Sequence, residues 1–308
     1  MRPSRPGKDR SDSMKLSSEC VPCLLRRVAY EVELCAPDRV MDAIAECSKV
    51  ATSGIRDGMS SVEFATMIHR CAYDIIGDAD PYRDLKKRSN DIALALYPEG
   101  EKFMRRSKEP MRAAMVVSII GNVLDFGIAG SIGTPESLRN KFKSLLSEPL
   151  GCDDSALIER LMKGAKEILF LADNCGEIVF DRLLLESIRS RTKARIVLVI
   201  KGEPILTDAT RRDIEGLGIE KLVDDILETE GVAVGLDLWT KGRNSSLAMR
   251  MRKADLVISK GMANFEALSE RRWKAIAYLL RSKCDTVSKA LHVGKDLSVI
   301  KLVRGGAD

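Results

Sequence analysis

The chain has 308 residues, 45% hydrophobic and 31% charged, with 50 Lys and Arg against 45 Asp and Glu for a net charge of +5. These totals suit one large globular domain or two modest ones, and the scatter of basic residues among acids excludes an obvious nucleic-acid surface. Eight Cys without an apolar leader read as reduced thiols of a cytoplasmic protein, not as a secreted disulfide scaffold.

Taken in order, residues 1–14 (MRPSRPGKDRSDSM) form a basic, polar, disordered tail, or upstream sequence with Met14 as the initiator. Residues 15–150 read as a helical domain. VPCLLRRVAYEVELC, RVMDAIAECSKVA and SVEFATMIHRCAYDII repeat apolar residues every three or four positions. Pro37, Pro81 and Pro110 stand where new helices can begin, and GTPESL offers Thr134 as a cap with Pro135 at the first helical position. The run AAMVVSIIGNVLDFGIAGSIG carries Asn122 and Asp125 at its centre, so it reads as a buried helix ending in a polar turn and no membrane span is expected.

Residues 151–308 change pattern and read as an α/β domain. β-rich runs at 167–172, 195–200, near 222–227, 255–259, 275–280 and 297–303 alternate with helical segments, including one from Glu177 and one from about Asp208. That alternation predicts an α/β fold: an N-terminal helical part packed on a Rossmann-like, mostly parallel sheet with helices on both faces.

Ligands of such sheets bind beyond the carboxyl ends of the strands. The residues there are DNCGE (173–177), KGEPILTDAT (201–210) and KGMANFE (260–266), which give Asp173, Asn174, Lys201, Asp208, Lys260 and Asn264 a common edge. Two carboxylates and an amide oxygen suit a hard divalent cation, with Lys260 and the helix N-terminus at Gly176 and Glu177 left to face a phosphate. The same residues allow a plainer account. Asp173 and Asp208 could each cap the helix that follows, and Lys260 could be a solvated loop lysine.

Together, DNCGEIVFDRLLLE, KGEPILTDAT, ADLVISKGMANFEALSE and GNVLDFG resemble the metal-dependent damage-control phosphatases, in their archaeal stand-alone branch. ECVPCLLRR and DPYRDLKKRSN extend the resemblance over nearly the whole chain after Met14. It implies hydrolysis of small phosphorylated metabolites, such as sugar phosphates, with Mg, Mn, Co or Ni as cofactor. It also implies Asp173, Asn174 and Asp208 as metal ligands, Lys260 as the phosphate-facing lysine, and Asn122 and Asp125 as the motif closing the site. Cys175 stands where the family usually has a small residue. The attacking group is a metal-oriented water or the carboxylate of Asp173 or Asp125.

The other label attached to this family makes an S-adenosylmethionine-dependent carboxyl methyltransferase an alternative, but DNCGE has one glycine where a nucleotide-binding turn wants several. A non-catalytic sensor of a phosphorylated ligand is a second alternative. Cys20 and Cys23 form a C-x-x-C that fits plain thiols, a second metal site completed by Cys35, Cys47 or Cys71, or a redox pair. His69 and His292 stand in none of these motifs and read as ordinary helix residues.

Overall fold

The computed structural model describes residues 14–56, 58–121, 135–236, 246–269 and 271–305, and the structural statements below concern these residues. Six helices come first: α1 (Cys20–Cys35), α2 (Val40–Gly54), α3 (Ser61–Ile76), α4 (Arg83–Arg106), α5 (Pro110–Gly121) and α6 (Pro135–Leu146). The α/β part follows as β1 (Leu150–Asp153), α7 (Ser155–Gly164), β2 (Glu167–Leu171), α8 (Glu177–Arg189), β3 (Arg195–Lys201), α9 (Arg211–Ile214) and β4 (Asp225–Thr229). It ends with α10 (Ser246–Lys253), β5 (Leu256–Lys260), α11 (Met262–Leu268), β6 (Ile276–Arg281), α12 (Asp285–Leu291) and β7 (Ser298–Val303).

The strands form one sheet in the order β1-β7-β6-β5-β2-β3-β4. Every pairing is parallel except β6 with β7. The expected α/β class therefore holds. β1 escapes the sequence reading because LGCD is short, half-exposed and carries a glycine and an acid.

Side-chain alternation along each strand feeds two apolar layers. Ile168, Phe170, Ile196, Leu198 and Ile200 face α4, α5, α7 and α8, whereas Leu169, Leu171, Val197 and Val199 face α1, α2, α3, α10 and α11. The sheet is thus covered on both faces, and each layer draws helices from the first 150 residues. Neither core follows the division at residue 150 that sequence grammar suggests. Among the described residues no helix is long and apolar enough to cross a membrane.

One detail of strand order places the site. The chain runs outward from β2 to β3 and β4, then returns to lay β5 on the other side of β2. At such a reversal the two flanking connections leave in opposite directions and open a crevice at the carboxyl ends. Here Asp173, just past β2, and Gly261, just past β5, flank that reversal.

Candidate functional site

Asp173 and Asn174 leave β2, and the segment 205–210 folds back across the same edge. Two isolated bridges hold it, Asn174 with Asp208 and Lys201 with Thr210. The Cys175 amide donates to Thr207 O and the Ala209 amide to Asp173 O, each at 2.8 Å, while the Lys201 amide donates to Ala209 O at 3.0 Å. Asp173 and Asp208 are thereby buried together, 7% and 6% exposed. Gly261 makes this possible. Its φ is +74°, and a Cβ there would stand 1.9 Å from Asp173 Oδ2, so the carboxylate occupies the space a side chain would need.

Neither acid caps a helix. The N-cap of α8 is Gly176, with no side-chain cap, and α9 is capped by a box between Thr210 and Asp213. α9 itself is one turn, shorter than the helix expected from about Asp208, because Gly216 and Gly218 follow with φ of 78° and 73°.

The electrostatics are unbalanced. Burial pushes the Asp173 carboxyl well above the usual range, and the Asp208 and Glu177 charges push it further against Lys260 and Lys283. Burial also raises Asp208, against the pull of Lys201, whose Nζ lies 3.4 Å from Asp208 Oδ2. The Asn174 amide donates to Asp173 Oδ2 at 2.6 Å, and its oxygen accepts from the Thr207 hydroxyl at 2.6 Å. A half-turn about χ2 of Asn174 exchanges the two ends of the amide. Two buried carboxylates and an amide oxygen could hold one hard divalent cation.

The other expected site residues are engaged elsewhere. Lys260 is fully buried, and its Nζ pairs with Glu177 Oε1, with Asp181 Oδ1 at 2.7 Å and with the carbonyl of Ser118 at 3.3 Å. Burial and the Glu177 charge carry Asp181 up to about 6, although Lys260 and the Ser118 hydroxyl hold it down. A lysine placed at a strand end to face phosphate instead faces two carboxylates of α8, and Glu177 faces the lysine. The Gly176 amide donates to Asn90 Oδ1 at 2.6 Å, so the start of α8 is already occupied. Asn264 donates to Ala172 O at 3.1 Å and Lys260 O at 2.9 Å, tying the ends of β2 and β5 together. Asn122 and Asp125 lie outside the described residues.

Residues not singled out by sequence reach the edge from the helical layer. Lys86 of α4 is 1% exposed and pairs with Asp80 at 3.0 Å and Asp213 at 2.9 Å. Asn90, one helical turn on, donates to Asp213 O at 2.8 Å while receiving Gly176. Both belong to DPYRDLKKRSN, which carried part of the resemblance without an assigned role. Lys283, two residues past β6, acts on Asp173 and lines a cleft of about 550 Å³ with Lys141, Glu148, Arg281 and Asp296. Only its position after a strand end could have marked it.

Cys20 opens α1 half-buried, with Cys23 exposed. Burial and the nearby Glu266 and Cys23 charges raise the Cys20 thiol, against the Ser17 backbone bond. The other cysteines lie in other settings. Cys47 donates to Ile68 O and lies within hydrogen-bond reach of Cys71, and Cys35 donates to Pro81 O at 3.4 Å. Among the described residues no group of three or more His, Cys, Asp or Glu is arranged to hold a metal.

Residues 16–299 match the model of the damage-control phosphatase ARMT1-like domain. The chain belongs to that family. A damage-control phosphatase of Archaeoglobus fulgidus is 35% identical over 294 residues, covering 94% of this chain and all of the relative. One from Pyrococcus horikoshii is 32% identical over 286 residues, covering 92% and 96%. The crystal structure of a DUF89 family protein from P. horikoshii superposes with a TM-score of 0.83 at 31% identity, covering 93% of this chain and 98% of the other. Fold and family thus agree with the resemblance carried by the motifs.

Proposed function

We propose that this chain is a metal-dependent phosphoric monoester hydrolase acting on small phosphorylated metabolites, sugar phosphates or related side products, in the cytoplasm. The observation that carries this reading is the buried Asp173–Asn174–Asp208 cluster, with both carboxyls raised and backbone bridges fixing their separation. Asp173, Asn174 and Asp208 would hold Mg, Mn, Co or Ni. Such an ion would supply positive charge to the phosphate oxygens.

The chain's own residues do the remaining work. Lys260 and Lys283 both act on Asp173, and Lys283, which also lines a cleft, would help neutralise the phosphate. The cleft it shares with Lys141 and Arg281 would take the phosphorylated end of the substrate. Lys86 and Asn90 would keep Gly176, and so the turn carrying Asp173 and Asn174, in register with Asp213.

The test is phosphate release from a panel of sugar phosphates and an aryl phosphate, with each of the four metals and with EDTA, beside Asp173→Ala. Release should need metal and fall at least about a thousandfold in the variant. Metal binding by calorimetry that is untouched in Asp173→Ala would sink the site assignment.

A further inference from the structure

Thr66, Arg70 and Tyr73 are spaced four and three residues apart on α3, and so lie on one face of the helix. Each bonds a backbone group of a loop at the sheet edge. Thr66 Oγ1 accepts the Val234 amide at 3.0 Å, Arg70 Nε donates to Val232 O at 2.9 Å, and Tyr73 Oη accepts the Leu206 amide at 2.8 Å. Thr66 and Tyr73 are buried, 8% and 9% exposed.

One loop carries Asp208, and the other holds Lys201, its ion-pair partner. In the first, Leu206 takes φ 50°, a left-handed conformation that a leucine adopts only when its surroundings impose it. Tyr73 satisfies the amide of that residue. The turn then closes through the Asp208 amide, which donates to Ile205 O at 3.1 Å. In the second, the 232–235 turn held by Thr66 and Arg70 presents Ala233 O at 2.8 Å, and Gly235 O, to Lys201 Nζ. That ammonium pairs with Asp208 Oδ2 at 3.4 Å. One route fixes the backbone of Asp208 and the other the partner of its carboxylate.

We infer that this face of α3 is the positioning element for Asp208, with Tyr73 and Thr66 setting how well the edge binds a divalent cation. The inference rests on reading Asp208 as a ligand of that cation.

The test uses the full chain, Mn²⁺ alone as the calorimetric probe, and amide hydrogen exchange over 203–209 in metal-free protein. Tyr73→Phe removes the acceptor while keeping the ring. It should weaken Mn²⁺ binding about 5- to 20-fold and speed exchange at Leu206 and its neighbours. Thr66→Val should weaken binding by a smaller factor, and Thr66→Ser, which keeps the hydroxyl, should restore wild-type affinity. In phosphate release the loss should fall on the metal concentration required, not on the rate at saturation. Wild-type Mn²⁺ affinity in both Tyr73→Phe and Thr66→Val, with binding lost in Asp208→Ala, would overturn the inference and leave the ligand assignment standing. Unchanged affinity in Asp208→Ala would overturn both.

Discussion

Two clusters of buried charge sit side by side at the strand edge, and they differ in how closely their carboxyls meet a lysine. Around Lys260, one ammonium meets Glu177 and Asp181 and a carbonyl, all fully buried, so its charge is answered within the protein. Around Asp173 and Asp208, burial raises both carboxyls, with the Asp208 and Glu177 charges adding at Asp173, against Lys260 and Lys283 there and Lys201 and Arg27 at Asp208. A closed cluster locks α8 to β5. The second, where Lys201 stands 3.4 Å from Asp208, is the proposed cation site. Sequence places both at strand ends in the same way, and only the partners separate them.

The largest effect that tests this contrast is on stability. Replacing Lys260 by Met leaves Glu177 and Asp181 buried without their shared cation, and breaking a buried pair from one side costs about 3–5 kcal/mol. Urea denaturation of Lys260→Met should show that loss. A variant as stable as wild type, but with a raised KM for phosphate esters, would mean that the lysine faces substrate after all and that the two clusters are one site.

A smaller effect sharpens the same point through pH. The folded state holds the Asp181 proton to about pH 6, whereas the ordinary value is 3.8. A raised carboxyl stabilises the folded state fully below the unfolded value and loses that contribution as pH rises through the folded one. Relative to Asp181→Asn, wild type should therefore lose stability between about pH 4 and 6, by at most about 3 kcal/mol, and then run level. Urea midpoints of both proteins at four pH values give the curve. A constant difference across that range would show that Lys260 already keeps Asp181 ionised.

Much of this was legible in residue order. Alternating β-rich and helical runs fixed the α/β class, and the interruptions DNCGE and TDAT marked the edge where Asp173, Asn174 and Asp208 meet. Lys260 lies at the strand end as expected, but its pairing with Glu177 and Asp181 was not legible, because strand-end position specifies the edge and not the direction of a long side chain. Glu177 and Asp181 stand four residues apart on α8, a spacing that puts both on one helical face toward the lysine, but no pattern names the lysine as their partner. The roles of Lys86, Asn90 and Tyr73 depend on contacts across more than 80 residues of chain, which local periodicity does not encode. The α3 face was visible as a helix but not as a clamp, since its partners are backbone groups of loops.

The smallest predicted effect is also the one whose sign depends on the cation. Asp173→Asn keeps the volume and an acceptor for the Asn174 amide, but removes one of two mutually repelling carboxyls. In EDTA the variant should be more stable than wild type by about 1 kcal/mol, a rise in Tm of roughly 2–4 °C. Saturating Mn²⁺ should reverse the order, because a ligand at a hundred times its Kd adds about 2.7 kcal/mol to wild type alone. Thermal melts with and without metal test both halves. A crossing of the two proteins ties the Asp173 carboxylate to cation binding. If Asp173→Asn is instead less stable in EDTA as well, the Asp173 carboxylate holds the fold together as Lys260 does, and the contrast between the two clusters fails.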